Sequence, residues 1–273
     1  MHAWHEERSL DDDSAISDAV RIEHRDAIAF VTITRPAKLN ALNDAVLAGL
    51  QHALDALERD AATKVVIFTG EGDKAFVAGA DIERLARMTT PEALEWMTYG
   101  HRLFLRISEF PKPTIAMVNG YALGGGFELA LSCDMVVASE NAVFGFPEIT
   151  LDTLPGWGGT QFAPRKMGAN RAREMVLTGN AYPASACRDF GFINRLVPPH
   201  ELRSATLELA ASLARRNSFA LRMAKAALRQ ADSLDLSAGM RYEALAYTAN
   251  FGIPHARAGL EAFLLRKRKP SGG

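Results

Sequence analysis

Cysteine is nearly missing from the sequence: 273 residues contain only Cys133 and Cys187, far apart and without CxxC spacing. A disulfide framework is thereby excluded, a cysteine zinc or redox site is not indicated, and buried inert thiols are expected. No charge of either sign is in excess, since 31 Lys and Arg stand against 32 Asp and Glu for a formal net charge of −1. There is thus no general positive field to gather nucleic acid or an anionic membrane. Only "RKRK", Arg266 to Lys269, is locally basic, and such a run is ordinarily a solvated tail. No stretch approaches the ~18 consecutive apolar residues of a membrane helix. The N-terminal "MHAWHEERSLDDDSAISDA" lacks a signal peptide's apolar stretch and is too acidic for a transit peptide. It reads as a flexible polar tail over residues 1–19 in a cytoplasmic protein; His2 and His5 there could touch a metal, but terminal histidines are far more often solvated. GxGxxG and Gly-Lys-Ser/Thr loops are also missing, which disfavours a dinucleotide or P-loop enzyme.

What is present suits a folded core: 48% of residues are hydrophobic and 23% charged, near the averages for globular chains. A β pattern begins in "VRIEHRDAIAFVTIT", with Ile28, Phe30, Val31 and Ile33. "RPAKLNALN" then leads into a helix predicted from Asp44 to about Arg59, where Val46, Leu47, Leu50, Leu54 and Leu57 recur at helical spacing and Asn43 or Asp44 is the N-cap. "KVVIFTG", "TIAMVNG" and "DMVVAS" are continuous apolar runs of strand length, as strands buried on both faces require. Strand, turn and helix alternate through residues 20–200, so an α/β fold is expected with its functional groups on the turns after strands. From Glu201 the strand signal fades. Helical spacing at Leu202, Thr206, Leu209 and Leu213, further helices near 219–231 and 236–249, and a last one from Pro254 predict a helical C-terminal part over 201–273.

One stretch carries a chemical oddity. "GYALGGGFELALSCD", Gly120 to Asp134, places Gly124, Gly125 and Gly126 before an apolar helix that contains Glu128. The first N–H groups of a helix lack internal partners and lie at the positive end of its dipole, so they can hold a negative oxygen. Glu128, three residues beyond Gly125, would stand beside such a donor. A glutamate in a first turn is also what the dipole favours with no catalytic role, and glycines there can serve close packing alone. Two other stretches add weight. "KAFVAGADI" presents Ala80 on a turn between Gly79 and Asp81, and "FGFPEITLDTLPGWGGTQ" supplies Glu148 amid Phe144, Phe146, Pro147 and Ile149.

Together with "RPAKLNALN" and "EMVLTGNAY", these segments resemble the crotonase family, also called the enoyl-CoA hydratase/isomerase superfamily, over roughly residues 20–269. The resemblance implies an α/β fold made of a spiral of ββα units, with a helical C-terminal region that builds homotrimers, commonly paired into homohexamers. The residues alone leave the spiral and a doubly wound sheet both open. It also implies that the N–H groups of Ala80 and Gly125 form an oxyanion hole for an acyl-CoA thioester, where charge develops as an enolate.

Glu128 and Glu148 match the two catalytic glutamates of the hydratases, and Gly156 the backbone position that helps place the water. The helix N-terminus favours ionised Glu128 as water-activating base, and apolar neighbours favour a protonated Glu148 as donor to Cα. By the same resemblance Lys38, Leu39, Ala41, Ala78, Asp81 and Ile82 line the coenzyme A channel, Lys74 lies near its phosphates, and Phe263 and Arg266 reach it on a neighbouring subunit. No metal and no separate cofactor are implied, because coenzyme A is part of the substrate.

Three positions depart from the plainest hydratase pattern: Phe146 where glutamine is frequent, Asp152 where glycine is, and Trp157 where a small residue is. The two aromatics leave two readings open, a reshaped acyl pocket that takes bulkier groups and ordinary packing, which explains bulky aromatics more often. Possession of both glutamates favours hydration over the family's isomerase and CoA-hydrolase reactions. Near-neutral charge disfavours an RNA-binding relative.

Overall fold

The computed structural model describes residues 15–17 and 19–268. The long apolar runs become the middle of a seven-stranded sheet. Its strands are β1 (Ala15–Ser17), β2 (Val20–Arg25), β3 (Ile28–Ile33), β4 (Val65–Gly70), β6 (Thr114–Val118), β8 (Met135–Ser139) and β11 (Arg195–Val197), side by side in that order. β3 and β4 are buried along their whole length, which is why they read as unbroken hydrophobic runs. Residues 1–19 are not all tail, because Ala15–Ser17 pairs antiparallel with β2; His2 and His5 lie outside the described residues.

A second, four-stranded sheet holds β5 (Ala75–Ala78), β7 (Tyr121–Leu123), β9 (Val143–Gly145) and β10 (Ala181–Pro183) in the order β10-β9-β7-β5. The chain alternates between the sheets: β4 then β5, β6 then β7, β8 then β9. Like strands stack in parallel, β4 with β6 and β6 with β8 in one sheet, β5 with β7 and β7 with β9 in the other. Each turn of the chain therefore adds one strand to each sheet and returns through helix, which is a spiral of ββα units and not a doubly wound sheet.

The helices of the spiral are α1 (Asp44–Arg59), α2 (Ile82–Leu85), α3 (Thr90–Glu109), α4 (Gly125–Ser132), α5 (Gly159–Met167), α6 (Ala169–Thr178) and α7 (Ala184–Cys187). Asn43 caps α1 by accepting the Val46 N–H at 3.0 Å. Thr89 and Glu92 close a reciprocal capping box on α3, the arrangement that satisfies two orphan donors at once. α4 is buried over its whole length and packs against β5 and β7. Cys133 and Cys187 are buried free thiols, and burial pushes each up to about 12.

The C-terminal part is α8 (Leu202–Ala214), α9 (Ser218–Gln230), α10 (Leu236–Phe251) and α11 (Pro254–Arg268). α8 covers the large sheet with Leu202, Thr206 and Ala210. Beyond it the packing thins. α9 has no buried residue and α10 only Ala246, while Leu228, Leu236, Leu245 and Tyr247 stand exposed. Among the described residues no helix is long and apolar enough to cross a membrane.

Candidate active site

Three of the sequence-assigned residues leave the same ends of three adjacent strands. In the small sheet Ala78 pairs with Leu123, and Leu123 with Gly145. Ala80 and Gly125 lie two residues past that line and Glu148 three, so the register itself brings them together. This is the carboxyl edge of three parallel strands, where α/β folds place their ligands.

Ala80 is held by the loop that precedes α1. Leu42 donates to Gly79 O at 2.9 Å and Asp81 donates to Leu42 O at 2.8 Å, which leaves the Ala80 N–H between them outside the ladder. Leu39 O accepts from Ala78 N–H at 3.0 Å. Sequence reasoning missed two side chains that hold this loop. Asn40 is fully buried, donates to Ala75 O at 2.8 Å and Glu71 O at 3.0 Å, and accepts from Arg35 N–H at 3.0 Å. Arg35 donates to Ala41 O at 2.5 Å and pairs with Asp81 at 3.4 Å. The guanidinium thus ties the loop to the residue after Ala80. Arg35→Ala is expected to lower stability by about 1–3 kcal/mol in denaturant unfolding, because it leaves a carbonyl and a carboxylate without their donor, and Arg35→Lys to restore only part, since one ammonium cannot span both.

Gly124 precedes α4 at φ +50°, and a Cβ there would lie 2.5 Å from Glu148 Oε1. Both the backbone and the space require glycine. Glu148 sits in the 3₁₀ turn Pro147–Leu151 directly after β9. That turn closes on Asp152 at φ 55°, a left-handed conformation that glycine takes freely and aspartate tolerates.

The two carboxyl groups differ in their donors. Glu128 is 1% exposed, and its Oε1 accepts the backbone N–H of Trp157 at 2.8 Å and of Gly159 at 2.6 Å. Glu148 Oε2 is buried with no hydrogen-bond partner among the described residues. Burial pushes both up to about 7, and the neighbouring Glu148 charge raises Glu128 further while its two N–H donors oppose the rise. The two loop donors favour the carboxylate at Glu128, and the unpartnered Oε2 favours the acid at Glu148, whose one backbone donor is its own N–H. The 157–159 loop, more than the helix end, supplies the donors that reach Glu128. No side-chain motif could have announced it, because both donors are backbone groups.

Gly156 lies one residue before this loop, and a Cβ on it would stand 2.4 Å from Met97 Sδ of α3. Phe146 and Trp157 are both packed in the interior, as the packing alternative expected. Phe146 is fully buried with its ring 4.8 Å from Phe127, and Trp157 is 2% exposed, so both fill volume.

Of the remaining assigned residues, Lys38, Leu39, Lys74 and Ile82 are exposed, and Ala41, Ala78 and Asp81 are half-buried. Lys38 pairs with Glu83 at 3.4 Å on the surface, Lys74 is exposed, and Leu39 and Ile82 present apolar surface to solvent. Phe263 is exposed on α11, which packs on α10; the Arg266 side chain lies outside the described residues.

The family model described as Enoyl-CoA hydratase/isomerase matches residues 23–271. The chain is 38% identical to the crotonyl-CoA hydratase of Syntrophomonas wolfei over 248 residues, which cover 91% of this chain and 95% of that protein. It is 40% identical to the 2,3-dehydroadipyl-CoA hydratase of Escherichia coli over 249 residues, 91% of this chain and 96% of that one. Among solved structures, the enoyl-CoA hydratase from Bacillus anthracis superimposes with a TM-score of 0.88 at 34% identity, covering 91% of this chain and 96% of that one.

Proposed function

The chain belongs to the enoyl-CoA hydratase/isomerase family, and from that premise we propose that it adds water across the 2,3 double bond of an enoyl-CoA thioester to give the 3-hydroxyacyl-CoA. One observation carries the reading: Glu128 Oε1 accepts two backbone N–H bonds from the 157–159 loop, Glu148 Oε2 is buried without a partner among the described residues, and the two carboxyl groups lie beside two strand-end N–H groups. An isomerase needs one proton shuttle. Hydration needs a base for water and an acid for carbon.

In the proposed reaction Ala80 and Gly125 N–H groups hold the thioester oxygen. Glu128 takes a proton from water as its oxygen bonds to Cβ, and the π electrons move onto the thioester as an enolate. Glu148 gives its proton to Cα, and the proton left on Glu128 returns through the pair or through solvent. Donors fixed where the charge develops cost no reorganisation, each contributing about 10²- to 10³-fold in rate. Gly156 helps place the water. Lys38, Leu39, Ala41, Ala78, Asp81 and Ile82 line the coenzyme A channel, with Lys74 near the phosphates. The chain uses no separate cofactor in this reading.

The exposed apolar side chains on α9 and α10 support a homotrimer, or a homohexamer of two trimers, in which Phe263 and Arg266 reach a neighbour's coenzyme A. Clustered exposed apolar side chains on a lone chain mark interfaces. The free buried thiols suit a cytoplasmic location.

The test is direct: purified protein is mixed with crotonyl-CoA and loss of the conjugated thioester absorbance is followed. Turnover supports the reading; none on any linear or cyclic enoyl-CoA overturns it. The pH dependence is a further prediction. The active form is the pair with one proton, carboxylate at Glu128 and acid at Glu148. kcat/KM is therefore expected to fall at low pH as Glu128 protonates and at high pH as Glu148 ionises, in a bell centred near 7 whose limbs belong to the coupled pair.

A further inference from the structure

Trp157 has a second role that its backbone bond to Glu128 does not use. One edge of its ring lies against the proposed oxyanion hole, since a Cβ on Gly125 would be 2.9 Å from Cε3 and Cζ3. The opposite edge is seated in α3, where a Cβ on Gly100 would be 2.1 Å from Nε1 and 2.3 Å from Cδ1. Glycine within a helix is unfavourable relative to alanine, and the indole occupying that space explains why it stands there. Trp96 and Phe104, also on α3, meet the same ring edge-on, with centroids 4.6 and 5.6 Å away. The ring thus closes the gap between α3 and the strand ends that carry the site.

The direction of the substrate follows from solvent. Coenzyme A is large and polar, so it occupies the side where Leu39 and Ile82 are exposed, and the acyl chain runs inward past Glu128. The Trp157 backbone N–H bond to Glu128 Oε1 at 2.8 Å and the ring's approach to Gly125 put the indole beside the proposed base and oxyanion hole. We propose that the Trp157 ring, seated against Gly100, forms the end wall of the acyl pocket and restricts the enzyme to short linear enoyl groups such as crotonyl. The proposal rests on the hydratase reading and specifies its substrate class.

Neither indole N–H of Trp96 or Trp157 has a hydrogen-bond partner among the described residues. Trp157→Phe therefore shortens the wall without breaking a side-chain hydrogen bond, and it keeps the backbone donor to Glu128.

The experiment measures kcat/KM of wild type, Trp157→Phe and Trp157→Ala on crotonyl-CoA and on 2-decenoyl-CoA, and the affinities of butyryl-CoA and decanoyl-CoA by calorimetry. Wild type is expected to favour the short partner of each pair. Trp157→Ala is expected to raise the long-to-short ratio at least about tenfold, as room for several methylenes would, and Trp157→Phe to shift it less in the same direction. If Trp157→Ala does not fold, the phenylalanine variant decides. A wild type indifferent to chain length, or folded variants with an unchanged ratio, would overturn the proposal while turnover of crotonyl-CoA kept the hydratase reading intact. A wild type inactive on every enoyl-CoA would overturn both.

Discussion

Glu128→Gln and Glu148→Gln are each expected to lower kcat for crotonyl-CoA by about 10²- to 10⁴-fold, the range that a positioned acid or base contributes. Glutamine keeps an oxygen that can accept the Trp157 and Gly159 N–H bonds, so the loss at position 128 reports the missing base and not a collapsed loop. Stability should move the other way. A carboxyl whose folded value is raised binds its proton more tightly in the native state, so the protein loses stability as pH rises from the ordinary carboxylate range through about 7. Above that window the buried charge costs wild type up to about 3 kcal/mol. Glu128→Gln carries no such cost. Its thermal midpoint is expected to exceed that of wild type at pH 8 by more than at pH 5, measured by differential scanning fluorimetry at both pH values. Near-normal turnover in either variant would sink the assignment of these carboxyls, and a pH-independent difference in midpoint would sink the account of the buried charge.

Gly126→Ala is expected to be the most damaging single methyl group in the chain's catalytic region. A Cβ there would lie 1.9 Å from Val77 O and 2.7 Å from Val77 C, and both are backbone atoms of β5 that cannot swing aside. The helix α4 must move away from β5, or β5 must shift. Either motion separates the Gly125 N–H from the Ala80 N–H that follows β5. Overpacking of this kind typically costs 1–3 kcal/mol, about that or more here because backbone opposes it. The expected outcome is a thermal midpoint lowered by several degrees and hydration down by about 10²-fold, as loss of one hole donor implies. An alanine variant with wild-type midpoint and rate would show that α4 and β5 are not packed this closely.

Much of the architecture was legible because it rests on local rules. The runs "KVVIFTG", "TIAMVNG" and "DMVVAS" announce β4, β6 and β8, since strands buried on both faces admit only apolar residues. Asn43 and the apolar spacing after it announce α1, and the helices after Glu201 follow from their period. The small sheet was not legible. β7 and β9 are three residues each, Tyr121–Leu123 and Val143–Gly145, too short for any period to emerge, and without them a spiral cannot be told from a doubly wound sheet.

By itself, then, the sequence determined the α/β class, the major strands and helices, and, through the quoted segments and the family they resemble, which glutamates, alanine and glycine to examine. Only the tertiary structure decided what those residues meet. The parallel register of β5, β7 and β9 brings Ala80, Gly125 and Glu148 to one edge. The 157–159 loop turns its N–H groups onto Glu128, and the Trp157 indole fills the space left by Gly100. The physical reason is common to all three. Backbone donors and close approaches carry no side-chain signature, and they exist only once segments distant along the chain are packed against each other.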